Sequence, residues 1–171
     1  MISWFRKLFS KKTVIVVPQE RKLVLTSSCA DELDACIAPD RAIRHEGVAL
    51  LLGLTGEDTT LATHAIRPHA HTSQGSFEIP TQSFAKIIKL ASRNGLAIVG
   101  QVHTHPRQAY HSDGDYAGLH IQYPGFCSLV LPNYGDDMPS IDGLHAISFE
   151  STRSWQPLAG KNIVILAESL S

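Results

Sequence analysis

Two histidines separated by one residue, His103 and His105, are the part of this sequence best suited to chemistry. They follow the apolar run Leu96–Val102, which is typical of a buried strand. Alternate side chains of an extended backbone point to the same face, so both imidazoles can reach one metal ion. Pro106 then turns the chain away. The pair alone is a weak indicator, because such histidines also occur packed in a core or exposed.

A carboxylate for the same ion is available in the segment Ser112–Asp115, where a helix is predicted to begin. Asp115 can supply an oxygen ligand from the first turn of that helix, and Asp113 is the alternative. Two neutral imidazoles and one carboxylate leave the fourth position of a zinc ion open to water, as in catalytic zinc sites. The sequence therefore predicts one Zn²⁺ per chain, bound by His103, His105 and Asp115.

Two further residues are candidates for a catalytic role. Glu46 directly precedes the predicted buried strand Gly47–Leu54, where a carboxylate is costly to desolvate unless it has a partner or a task. It is a candidate general base that accepts a proton from water, and a salt bridge to Arg44 is its structural alternative. Ser112 is either an ordinary helix cap or a hydrogen-bond donor to a carbonyl oxygen that becomes an oxyanion.

The elements that would position these residues alternate between strands and helices. A first helix is predicted from Ser28, with a capping box, until Pro39 stops it. A second begins at Thr81 as N-cap and ends at Asn94. The polar segment Arg67–Ser76 is predicted to be a loop. Strands are predicted at Thr13–Val17, Leu23–Thr26, Val48–Leu54, Thr59–Ile66, Leu96–Val102, Phe126–Leu131, Leu144–Phe149 and Ile163–Leu166.

This order of elements predicts an α/β fold, with one mixed sheet and a helix on each side, over residues 13–171. In the second helix the predicted apolar stripe consists of Phe84, Ile87, Ile88 and Ala91. Before the domain, the segment Met1–Lys12 combines aromatic and basic residues at helical spacing. It is either a short helix that touches a membrane or a partner, or a leader that packs on the domain or frays.

The composition narrows the function classes. A chain of 171 residues with a net charge of -1 suits one domain and gives no support for nonspecific nucleic-acid binding. Three cysteines without a CxxC pair argue against a disulfide framework or a cysteine zinc site, and favour a reducing cytoplasm. No apolar run approaches the length of a transmembrane helix.

The other histidines are weaker candidates for a functional role. His69 and His71 form a second pair with one residue between them, but they lie in a polar segment without a following carboxylate motif. His111, next to Ser112, is expected to be an exposed loop residue or to line the cleft. His145 lies in an apolar stretch and is expected to be structural.

Together, the candidate residues resemble the JAMM motif of the JAB/MPN metalloprotease family, over roughly Leu23–Leu131. That motif consists of a Glu, then H-x-H-P, then S-x-x-D on the following helix. One departure is the loop between the second histidine and the serine, which has six residues here instead of the common seven. The matched positions are Glu46, then His103-Thr104-His105-Pro106, then Ser112-x-x-Asp115.

The resemblance implies a fold of the cytidine deaminase type and a role for each residue. His103, His105 and Asp115 would bind zinc, Glu46 would activate water, and Ser112 would steady the tetrahedral intermediate. Because all five are present, the chain is similar to the active members of the family and not to the metal-free scaffold members.

The resemblance also implies a substrate. Family members commonly remove ubiquitin-like proteins from lysine or trim their precursors after the C-terminal glycine. This short chain is similar to bacterial members that accompany ubiquitin-activating-like and conjugating-like enzymes, some of them in antiphage defence. The segments Arg67–Ser76 and Asn133–Ile141 are candidates for substrate contacts, or are plain surface loops. The alternatives are hydrolysis at a small sulfur- or amino-acid-carrier protein, and a non-catalytic binding module.

Overall fold

The fold contains ten strands, three α-helices and two short 3-10 helices in a computed structural model, which describes residues 20–167. The predicted leader Met1–Lys12 and the predicted strand Thr13–Val17 lie outside the described residues. The helices are α1 (Ser27–Ala42), α2 (Thr81–Arg93) and α3 (Asp113–Gly118). The strands are β1 (Lys22–Thr26), β2 (Val48–Thr55), β3 (Thr59–Ile66), β4 (His71–Ser73), β5 (Ser76–Glu78), β6 (Ala97–Thr104), β7 (Cys127–Leu131), β8 (His145–Phe149), β9 (Trp155–Pro157) and β10 (Ile163–Leu166).

Eight strands form one mixed sheet in the order β10-β1-β3-β2-β6-β7-β8-β9, and β4 and β5 form a separate hairpin. The central strand β2 pairs antiparallel with β3 and β6, and β6 pairs parallel with β7. Successive residues of β2 face two different apolar clusters, one on each side of the sheet. Leu51 faces the cluster that contains Leu33 of α1, and Leu50 faces the cluster that contains Ile87 of α2. The predicted α/β class, with a mixed sheet and a helix on each side, is therefore confirmed.

Helix α1 corrects the prediction at both ends. Its N-cap is Thr26, whose hydroxyl accepts a hydrogen bond from the backbone N–H of Cys29, and not Ser28. The helix also continues past Pro39 to Ala42. The last turn persists because the buried Asp40 carboxylate accepts hydrogen bonds from Arg67 and Thr72, so tertiary contacts outweigh the lost backbone bond.

The segment expected to be a loop, Arg67–Ser76, instead contributes most of the β4–β5 hairpin. Its strands are short and polar, so they lack the alternation by which a strand is recognised. The hairpin is held by contacts from elsewhere in the chain. The Glu46 N–H donates to the Ser73 carbonyl (2.7 Å), and the Tyr134 hydroxyl donates to the Gln74 carbonyl (3.1 Å).

Smaller differences concern element ends and exposure. The N-cap of α2 is Pro80, which makes no side-chain capping bond, and the predicted N-cap Thr81 is instead the first residue of the helix. Ile88, predicted to be in the apolar stripe of α2, is 52% exposed. Strand β6 extends through His103 and Thr104, and β9 was not predicted. Among the described residues, every helix is too short or too polar to cross a bilayer.

Replacing Gly53 by alanine is expected to destabilise the fold by about 3 kcal/mol. The register of β2 against β3 shifts at Gly53, and a Cβ there would lie 1.8 Å from the Leu61 carbonyl oxygen. Urea unfolding measures the loss. Gly75→Ala is the control, because no atom beyond its own residue and its two chain neighbours lies within 4 Å of the added Cβ. Equal unfolding midpoints for the two variants would contradict the prediction.

Candidate metal centre

The end of strand β6 carries both histidines into the interior. His103 pairs with Val48 on β2 and with Val130 on β7, and its side chain is fully buried. The His105 N–H donates to the Leu131 carbonyl (2.9 Å), so the backbone stays extended past the end of β6. As expected from the alternation, both imidazoles face the same side, and their Nε2 atoms lie 3.2 Å apart.

Helix α3 brings Asp115 to the same point. Asp115 Oδ1 lies 3.1 Å from His103 Nε2, and Oδ2 lies 3.4 Å from His105 Nε2. The alternative, Asp113, is exposed and is not part of this group. Within residues 20–167, His103, His105 and Asp115 are the only set of three side chains whose potential ligand atoms converge in this way.

Ser112 holds the Asp115 carboxylate in place. It is the N-cap of α3 in a capping box, and its hydroxyl accepts from the Asp115 N–H. In return, the Ser112 N–H and hydroxyl both donate to Asp115 Oδ2, each at 2.7 Å. The helix-cap interpretation of Ser112 is therefore observed, and it fixes the orientation of one candidate ligand.

The pKa shifts of two of the three side chains, His103 and Asp115, favour the protonation states that bind a metal ion. Burial lowers the pKa of His103, which favours the neutral imidazole that coordinates metals. Burial by itself would raise the pKa of Asp115, but hydrogen bonds from His103 and His105 outweigh it and hold that pKa far below its usual range. The hydrogen bond to Asp115 raises the pKa of His105. Two nitrogens and one carboxylate oxygen are a donor set that suits Zn²⁺.

Glu46 lies beside this group because the next residue, Gly47, is hydrogen-bonded to Thr104, which stands between the two histidines. The Gly47 N–H donates to the Thr104 hydroxyl (2.9 Å), and the Thr104 N–H donates to the Gly47 carbonyl (3.0 Å). The salt bridge considered for Glu46 is absent from the described residues, since Arg44 pairs with Asp136 instead.

The environment of Glu46 differs from that of a surface carboxylate. Its side chain is buried, and it borders the same cleft as His105 and Asp115. Burial raises the pKa of Glu46 to about 7, with a further contribution from the negative Asp115 and an opposing one from His105. A carboxyl group with a pKa near neutrality can both accept and release a proton, as general acid–base catalysis requires.

The cleft beside these residues measures about 1440 Å³, more than the 300–1,000 Å³ typical of small-molecule pockets. The cleft is lined by the β5 strand with Ile79 and Pro80, and by residues of the loop Pro106–Tyr110 and the start of α3. Of the two segments expected to contact substrate, Arg67–Ser76 contributes Gly75 and Ser76. Asn133–Ile141 contributes none of the described lining residues.

Sequence reasoning missed a buried polar cluster behind the site. His111, predicted to be exposed or to line the cleft, is half-buried, and burial lowers its pKa to about 3. Its Nδ1 lies 2.8 Å from His145 Nδ1, and its Nε2 lies 2.8 Å from the Ser128 hydroxyl. The one available signal was Ser128, a polar residue within the apolar strand β7.

The other candidates for metal or thiol chemistry remain separate from the site. The rings of His69 and His71 lie 5.7 Å apart, and no third ligand joins them among the described residues. The three cysteines are free, and burial raises the pKa of Cys29 and Cys127 to about 12 and that of Cys36 to about 11. They are therefore thiols at neutral pH, as expected for core residues.

No family model matches the chain, but named proteins and solved structures are similar to it, among them the two that follow. The probable metalloprotease y4jG of Sinorhizobium fredii (strain NBRC 101917 / NGR234) is 26% identical over 139 residues, which are 79% of this chain and 86% of that protein. The solution structure of protein DSY2949 from Desulfitobacterium hafniense matches with a TM-score of 0.62 at 17% identity, covering 85% of this chain and 94% of that one. The structural match shows that the two proteins share a fold.

Proposed function

We propose that this chain is a zinc-dependent peptidase that cleaves after the C-terminal glycine of a ubiquitin-like protein. It would either release that protein from a target lysine or process its precursor, in a bacterial conjugation pathway. The convergence of His103, His105 and Asp115 beside Glu46, in one open cleft, is the observation that carries the proposal. The distant relative named as a probable metalloprotease supports the reaction class.

Each residue has a distinct task in this proposal. His103, His105 and Asp115 would hold the ion, which when bound supplies Lewis acidity toward the scissile carbonyl and toward water. The Glu46 carboxylate accepts a proton from the attacking water and passes it to the leaving nitrogen. Burial raises the pKa of this carboxyl group above its usual range, which favours its use in both transfers.

Ser112 is proposed to support the reaction in two ways. Its backbone N–H keeps the Asp115 carboxylate oriented, and this hydrogen bond does not depend on the serine hydroxyl. The hydroxyl donates to the same oxygen in this structure, and in the reaction it would exchange that bond for one to a carbonyl oxygen that gains negative charge. The serine would thus combine a cap with a second, transient hydrogen bond.

The shape of the cleft favours an extended polypeptide over a compact substrate. Strand β5 has a partner on one edge only, among the described residues, and the cleft lies along its residues Ser76–Glu78. The ring of Phe77 in this strand lies 5.0 Å from the ring of His103. A chain that pairs with the free edge would therefore pass beside the candidate ligands. Glycine residues would allow its backbone to approach them closely.

Cleavage of a ubiquitin-like protein with a C-terminal peptide extension tests the proposal. The zinc-loaded protein should release the extension immediately after the terminal glycine, as read by mass spectrometry, and a chelator should stop the reaction. Phenylalanine in place of the penultimate glycine should block cleavage. Rapid hydrolysis of a small amino-acid amide, without cleavage of any ubiquitin-like fusion or conjugate, would overturn the proposed substrate in favour of the small-carrier alternative.

A further inference from the structure

The candidate ligand Asp115 lies on a helix that is too short to be stable without contacts from the rest of the protein. Helix α3 spans only Asp113–Gly118 and has no buried side chain. Helices of this length are not stable by themselves, and most helices in proteins are stabilised by packing an apolar face. Because α3 lacks such a face, its position must depend on the contacts of Asp115 with the two histidines and on contacts at its two ends.

The two ends of α3 are anchored differently. After its last residue, Leu119 is buried in the apolar cluster that contains Ile87 of α2. Before its N-cap, His111 forms the polar cluster described above, with the Ser128 hydroxyl on β7 and His145 on β8. Ser128 is fully buried, and both strands belong to the main sheet. The N-terminal anchor therefore connects the helix to the sheet that carries the two candidate histidine ligands.

We propose that His111 is a positioning residue, which through Ser128 and His145 fixes the start of α3 and so keeps Asp115 within reach of the metal. The route is short. His111 is bonded to Ser112 in the chain, and the Ser112 N–H and hydroxyl donate to Asp115 Oδ2 at 2.7 Å. This inference rests on the proposed metal site, and it assigns a role outside the JAMM-like motif.

A direct chemical role for the cluster does not fit its surroundings. Serine, histidine and histidine in a hydrogen-bonded series have the composition of an activated nucleophile. The Ser128 hydroxyl, however, is fully buried and is absent from the described residues that line the cleft, so no substrate reaches it. What remains for these three side chains is to hold the loop and helix in place.

The test compares two buried serines on neighbouring strands. Ser128→Ala removes the hydroxyl that bonds His111. The control is Ser148→Ala on β8, which removes an equally buried hydroxyl that bonds Glu150, away from the site. The Zn²⁺ dissociation constant of each folded variant is measured by competition with a chromophoric chelator. The melting temperature of the metal-free protein reports any general loss of stability.

We expect Ser128→Ala and His111→Ala to weaken Zn²⁺ binding by about 10- to 100-fold, the usual effect of losing a contact that orients a ligand. Ser148→Ala should bind like the wild type even if its melting temperature falls. His111→Gln should recover part of the affinity, because its amide can reach the Ser128 hydroxyl. The absorption spectrum of the Co²⁺-loaded Ser128→Ala variant should also change, since a displaced Asp115 alters the ligand geometry.

Three results would overturn the inference. Wild-type Zn²⁺ affinity in both Ser128→Ala and His111→Ala would refute it while leaving the proposed function intact. An equal loss of affinity in Ser148→Ala would mean that general stability, and not the position of α3, determines binding. A wild-type protein that binds no Zn²⁺ would refute the proposed function itself, and the positioning role with it. If His111→Ala does not fold, the two serine variants decide the outcome.

Discussion

Glu46→Gln is expected to lower turnover by at least about a hundredfold, while the protein keeps its fold and its metal. Glutamine has nearly the same size and can occupy the same buried position, but its amide cannot accept a proton from water. Glu46 is not one of the three converging side chains, so metal content should not change. The measurements are kcat on the fusion substrate and zinc per chain by elemental analysis.

The control for Glu46→Gln is the same substitution at an exposed carboxylate away from the cleft. Glu57, in the turn between β2 and β3, meets this description. Glu57→Gln should retain wild-type kcat, zinc content and melting temperature. If Glu46→Gln itself turned over substrate at the wild-type rate, Glu46 would not be the general base. If it lost zinc, the separation between metal binding and proton transfer would be wrong.

His103→Ala and His105→Ala are each expected to abolish stoichiometric zinc binding, which is the second large effect. Each removes one of three protein ligands, and two remaining ligands do not make a stable zinc site. Binding of zinc to the folded wild type should raise its stability by about 2.7 kcal/mol at a hundredfold excess over the dissociation constant. Thermal melts with and without Zn²⁺ should therefore show a shift in the wild type and none in the variants.

Three further variants test this assignment, and two of them, His69→Ala and Asp113→Ala, are controls. His69→Ala changes the other histidine pair and should leave the zinc-dependent shift unchanged, because no third ligand lies near that pair in the described residues. Asp115→Ala should lose zinc, whereas Asp113→Ala should keep it, since Asp113 is exposed and lies outside the converging group. Full zinc content in His103→Ala, or loss of zinc in Asp113→Ala, would mean that the ligands are assigned incorrectly.

The main sheet brings the proposed metal ligands and the proposed general base together from separate parts of the chain. His103 and Glu46 are far apart in sequence, but β6 and β2 are adjacent in the sheet, and Val48 pairs with His103. The bonds between Thr104 and Gly47 then set the distance between the histidines and Glu46. A substitution at either strand end would thus affect both functions, whereas Glu46→Gln separates them.

Local sequence patterns determined the main elements of the fold. The apolar runs that became β2 and β6 are buried on both faces, and such runs need no knowledge of their partners to be recognised as central strands. The common facing of His103 and His105 follows from the period of two residues along any strand. The S-x-x-D spacing of the JAMM-like motif favoured Asp115 over Asp113, and in the structure Ser112 and Asp115 form a capping box.

Tertiary structure alone decided the features that depend on residues distant in sequence. Helix α1 passes Pro39 because Arg67 and Thr72 bind Asp40, and the polar β4–β5 hairpin exists because Glu46 and Tyr134 hold it. Likewise, His111 is half-buried because β7 and β8 bring Ser128 and His145 to it. Each feature comes from contacts made only when the sheet assembles. Hydrophobic periodicity reports the environment of a single element, whereas these contacts report how separate elements meet, and no local pattern encodes that.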